Sequence, residues 1–94
     1  MFAVSQALAE LRRAKAELDE TLKVYSAQLK DSFVQRDFER AQQSWLHYSQ
    51  AESQSRATQS TDGATSRHRE NYLRALTDMT RERAQQLRKQ AKAR

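Results

Sequence analysis

The side chains able to do chemistry are few in this chain, and their spacing does not suit it. There is no cysteine, and the two histidines, His47 and His68, fall on different segments with no acidic residue at a ligand-like spacing. A dedicated zinc site needs three or four ligands in register, and two isolated imidazoles do not supply them. Glu17 and Glu20 lie three apart, as in some carboxylate metal sites of helical bundles, but the Glu-x-x-His partner of such sites is missing. The pair reads instead as a solvated helix face. Serines and threonines are scattered, and a single glycine, Gly63, leaves no glycine-rich loop to cradle a phosphate. We therefore expect no catalytic residue, no metal site, no cofactor and no small-molecule substrate.

Charge is the next candidate. The chain carries 17 Lys/Arg against 12 Asp/Glu, a net charge of +5. Residues 1–80 hold 11 of each sign, so the whole excess lies in residues 81–94, with six basic residues and one acidic. Clustered cations can neutralise phosphates. However, no aromatic residue is interleaved with them for base stacking. Lys and Arg near a helix C-terminus also complement its dipole. A nucleic-acid partner is not expected.

The elements that position these residues are helical. The 94 residues contain no proline and one glycine, and Ala, Leu, Gln, Glu, Arg and Lys dominate. Val4, Leu8, Leu11, Leu18, Leu22, Tyr25 and Leu29 recur in steps of four and three, interrupted only at Lys15, which marks one face of a long helix. Asp31 or Ser32 can cap the next segment. There Val34, Phe38, Ala41, Trp45 and Tyr48 continue the pattern, and the seam turns polar after Trp45. Residues 58–66, centred on Asp62-Gly63, have turn composition. The last segment sets Leu73, Leu76, Thr80, Arg83 and Leu87 on one face, flanked by Tyr72 and Met79. The expected fold is all-α: a three-helix antiparallel bundle of long amphipathic helices over about 3–30, 33–58 and 65–90, forming a single domain 1–90 with a frayed basic tail at 91–94. No run is apolar enough to span a membrane. A homodimer that enlarges so thin a core is a further expectation.

The segment Ala41–Ser53 holds the only tryptophan. Trp45 is expected to anchor the thin core, with Phe38 and Tyr48 beside it and Leu73, Leu76 and Leu87 opposite. Its spacing says more. Ala41-Gln42-x-x-Trp45-Leu46-x-Tyr48, followed by Ala51-Glu52, resembles the signature of the lysozyme-inhibitor LprI-like family. Asp62-Gly63 is similar to that family's loop, and Thr80, Arg83 and Leu87 match its last-helix pattern Leu-Thr-x-x-Arg-x-x-x-Leu, with Met79 in place of the first leucine. Leu18-Asp19-x-x-Leu22-x-x-Tyr25 looks like a degenerate form of its first-helix pattern. The family's arginine after the aromatic is Ser49 here. Its two cysteines fall on Ser53 and Ala75, which the resemblance implies should face each other within disulfide reach.

The resemblance implies a non-enzymatic bacterial protein that binds another protein, a muramidase or another envelope component, in the periplasm or envelope after loss of an upstream signal peptide. Many lysozymes are basic, so a partner of charge +5 gains no electrostatic steering toward them. The alternative is a cytoplasmic helical adaptor or secretion-system accessory. It would use the Val4–Leu29 stripe as a coiled-coil surface, and the lack of cysteine fits a reducing compartment.

Overall fold

Three stretches without proline or glycine become three helices: α1 (Phe2–Gln28), α2 (Ser32–Ser60) and α3 (Thr65–Ala93). The structure, a computed structural model, describes the backbone of residues 2–60 and 65–93 and the side chains of 3–60 and 67–93. The expected turn at Asp62-Gly63 lies outside the described residues. Between α1 and α2, Asp31 is the cap: its Oδ1 accepts from the amides of Phe33 at 2.8 Å and Val34 at 3.3 Å. The Gln35 side-chain amide donates back to the Leu29 carbonyl and closes the turn from the other side.

Consecutive helices run antiparallel, so α1 and α3 run parallel. Ala7 and Leu11 pack with Leu73 and Leu76 at one end, and Leu18, Tyr25 and Leu29 pack with Ala84 and Leu87 at the other. The middle of the order in space is α3, which packs against both other helices. α1 and α2 meet near their turn, where the Tyr25 and Phe38 rings lie 4.8 Å apart between centroids. The result is a rod of 48 × 21 × 17 Å.

The two faces of α3 are packed differently. Toward α1 the seam is aliphatic. Toward α2 it is made of small and polar groups, and the buried residues of α2 are Ser49, Ser53 and Ala57. Burying hydroxyls is tolerable only if each finds an acceptor. Thr21, Thr77 and Thr80 donate to the carbonyls one turn back at 2.7–2.8 Å, and Ser49 donates to Leu46 at 3.0 Å. Ser53 Oγ lies 3.6 Å from Met79 Sδ. Among the described residues no buried side-chain nitrogen or oxygen lacks a partner.

Here the structure departs from the expected seam of α2. Val34, Ala41 and Tyr48 are exposed, Tyr48 to 56%, and Leu46 is exposed as well. The buried face is rotated by one position, through Phe38, Gln42, Trp45, Ser49, Ser53 and Ala57. Close approach to α3 is the reason: a serine or alanine at the contact admits a neighbouring helix that a tyrosine would hold off. Trp45 is half-buried, packed on the Leu18–Leu87 cluster and not enclosed by it. Helix α3 runs to Ala93, and Ala91 packs on the same cluster.

These placements set a ranking of substitutions. Leu87 is fully buried, so Leu87→Ala should cost about 2–5 kcal/mol. Tyr48→Ala, on the exposed face, should change stability by no more than about 0.5 kcal/mol. Urea denaturation reads both, and equal losses would contradict the rotated face of α2.

Candidate functional site

Antiparallel pairing of α2 with α3 brings the two motif segments together. Ser60 faces Asn71 at 3.2 Å, Ser53 faces Met79, and Gln42 Oε1 accepts from Arg83 Nε at 3.1 Å. The Gln42–Arg83 bond joins residues 41 apart in sequence. Arg83 Nη1 donates to Gln86 Oε1 at 2.9 Å, so the guanidinium is held by two neutral amides. Burial pushes Arg83 below the ordinary arginine value, and the neighbouring Tyr25 phenol acts in the opposite direction. An arginine nonetheless keeps its proton in a protein, so this is a partly desolvated, fixed cation.

Around it lies a shallow cleft of about 320 Å³ between α2 and α3, lined by Trp45, Tyr48, Arg56, Met79, Glu82, Arg83 and Gln86. Its rim is charged on both sides. Arg56 pairs with Glu52 at 3.3 Å along α2, a contact of little energetic weight at the surface. On the other flank of α2 a second groove of about 240 Å³ opens where α1 and α2 part above α3. Its walls are Leu18 and Leu22 against Trp45 and Leu46, its floor is Leu76 and Thr80, and Lys15 and Asp19 stand on its lip. Trp45 lines both hollows and forms the ridge between them.

The motif residues thus divide by role. Thr80 and Leu87 are buried scaffold, and Gln42 and Arg83 form the bond between helices. Trp45, Leu46 and Tyr48 meet solvent, and Ala41 is exposed. Ser53 is fully buried, and Ala75 is half-buried one turn before its neighbour Met79. His68, Asn71, Met79 and Arg83 each touch α2, and helical spacing sets Ala75 on that same stripe. Met79, Glu82 and Gln86 complete the cleft without being singled out as site residues. Their signal was available: Met79 and Gln86 lie one turn from Arg83 on its own helix.

The remaining candidates stay apart. His47 lies on the outer surface of α2, whereas His68 meets Thr58 at 3.3 Å. Glu20 pairs with Lys23, and Glu17 is exposed. Among the described residues no cluster of three or more His, Asp or Glu side chains could hold a metal ion, and no helix is long and apolar enough to cross a membrane.

No curated protein and no solved structure matches the chain. A family model described as lysozyme inhibitor LprI matches residues 3–87. That range takes in α1, α2 and most of α3, with the Gln42–Trp45–Tyr48 segment and the Thr80–Arg83–Leu87 segment that the Gln42–Arg83 bond ties together. The chain belongs to the lysozyme inhibitor LprI family.

Proposed function

We propose that the chain is a protein-binding module that inhibits a muramidase, and that it does so through the Trp45–Tyr48 ridge. The observation that carries the choice of surface is the 56% exposure of Tyr48 beside half-buried Trp45 and the desolvated Arg83. Tryptophan, tyrosine and arginine are the side chains most often found where interfaces concentrate their energy. All three are pre-positioned here by helical backbone, which keeps the entropy lost on binding small.

Charge does not oppose this reading as strongly as the total of +5 implies. Within residues 81–94, Arg83 stands at the ridge itself, whereas Arg88, Lys89 and Lys92 lie toward the end of the rod where α3 terminates. At 1.5 Å per residue, Tyr48 stands roughly 22 Å along α2 from Phe33 at that end. The Debye length at physiological salt is about 8 Å, so the cations at that end are largely screened from the ridge. Around the ridge itself, Glu52 and Glu82 balance Arg56 and Arg83. The adaptor alternative loses its main support, because α1 buries Leu11, Leu18, Tyr25 and Leu29 in this bundle's own core. The setting implied is the bacterial envelope, and fractionation of the full-length gene product should place the protein there and not in the cytoplasm.

A turbidity assay of bacterial lysis by several muramidases tests the activity. The full chain should slow at least one of them at micromolar concentration. Tyr48→Ala should weaken that inhibition about tenfold or more at unchanged melting temperature. No inhibition of any muramidase at micromolar excess would retire the claim.

We further propose that Ser53 and Ala75 occupy the family's cysteine positions. The chain contains no cysteine, so a Ser53→Cys/Ala75→Cys variant offers a clean readout. Mild oxidation should give an intramolecular bridge, seen as faster migration on a non-reducing gel. Its loop of more than twenty residues should raise stability by about 3 kcal/mol. A variant that folds by circular dichroism yet stays reduced would show that the register is wrong.

A further inference from the structure

One end of the rod collects what the rest of the molecule lacks. The α1–α2 turn and the end of α3 meet there, as the pocket formed by Glu20, Thr21, Val24, Arg88 and Ala91 shows. Residues 20–37 and 88–93 together contain six basic side chains, Lys23, Lys30, Arg36, Arg88, Lys89 and Lys92, against three acidic ones, Glu20, Asp31 and Asp37. That surplus of three is more than half of the net charge of five. Asp31 is moreover committed to the helix cap, where its carboxylate accepts two backbone amides.

Among the described residues, the same end carries three of the five exposed large apolar side chains: Phe33 at 71%, Val24 at 58% and Val34 at 43%. The Arg36 guanidinium lies over the Phe33 ring at 6.0 Å from its centroid, so cation and aromatic are presented together. The helix dipole accounts for Lys89 and Lys92 at the C-terminal end of α3. The dipole of α1 accounts likewise for Lys30, two residues past its end at Gln28, but neither gives a reason for Arg36, which lies near the N-terminus of α2. Nor does either explain three apolar side chains left in water among the charges.

Basic residues around exposed apolar ones match the chemistry of an anionic lipid surface: the cations meet headgroups, and the apolar side chains enter the boundary with the acyl chains. We propose that this end of the rod docks on anionic membranes and holds the molecule end-on, with the Trp45–Tyr48 ridge standing clear of the bilayer. A soluble polyanion would need the charges alone. The placing of Phe33, Val24 and Val34 among them is what favours lipid.

The test is co-sedimentation of the full chain with vesicles of phosphatidylcholine alone or with about one-third phosphatidylglycerol. The chain should pellet with the anionic vesicles only, and high salt should release it. Lys89→Gln and Lys92→Gln should each weaken binding about fivefold. Phe33→Ser should weaken it about tenfold. Circular dichroism should show all three variants folded, since the residues changed are exposed. Heparin affinity serves as the control for polyanion binding. Absence of binding to anionic vesicles would overturn the proposal. So would vesicle binding that Phe33→Ser leaves unchanged, with heparin retention equal in both proteins, because charge alone would then suffice. Either outcome leaves the muramidase reading untouched, since that reading depends on a different surface.

Discussion

The fold depends on α3 serving two partners at once. A single amphipathic helix has one apolar stripe, and in a chain of this length there is no further layer to cover a second. The structure meets this constraint by dividing the circumference of α3. The aliphatic part, with Leu73, Leu76, Ala84 and Leu87, goes to α1. The part given to α2 is closed by small side chains and by hydroxyls that bond back to their own helix, as Thr80 does to Leu76. An unsatisfied hydroxyl there would cost about 1–3 kcal/mol, a large fraction of the stability of so small a domain. Back-bonding within the helix removes that penalty without requiring a partner on α2. It also lets the two helices come close enough for Gln42 to reach Arg83.

This division explains which elements the sequence discloses. The face of α1 is legible because large apolar residues mark most of its contacts, Leu11, Leu18, Tyr25 and Leu29 among them. Asp31 is legible as a cap because a short acidic side chain before a helix has few other uses. In α2 the pattern of large residues misleads. Val34, Ala41 and Tyr48 share a helical spacing with Phe38 and Trp45, yet the helix is turned so that Ser49, Ser53 and Ala57 face inward. Apolar periodicity assumes that contacts are made by apolar bulk, whereas here closeness decides, and closeness favours the smallest side chains. The order in space is hidden for a related reason. Nothing in the chain says that α1 and α2, neighbours in sequence, are to be separated by α3 over most of their length.

Within the site, the sequence names Gln42, Trp45, Tyr48 and Arg83 but not what they do to one another. A glutamine and an arginine far apart in sequence have no readable relation until two helices bring them within 3.1 Å. Once they are joined, the spacing of the motif acquires a physical sense. Gln42 and Arg83 fix the register of α2 on α3, and Trp45, one turn beyond Gln42, is held on the ridge between two hollows. Tyr48, one turn further, is left in water. Because register and exposure are set by alternate turns of one helix, the part of the motif that holds the fold and the part that meets solvent are adjacent yet separable.

The rod shape carries that separation to the scale of the molecule. In a compact sphere of this size opposite surfaces would lie at most roughly 30 Å apart and most would be closer, so a cationic region would colour more encounters. Stretched to 48 Å, the chain keeps its basic end and its aromatic ridge far enough apart that salt screens one from the other. The ridge can therefore face a basic protein even though the chain as a whole is basic. The basic end, with Phe33 and Val24 among its charges, can in turn meet an anionic surface without engaging the ridge. Elongation follows from the thin core, since three long helices with narrow apolar stripes bury more by lengthening their contacts than by adding layers. The same scarcity of apolar residues that makes the fold marginal thus sets its aromatic ridge and its basic end apart.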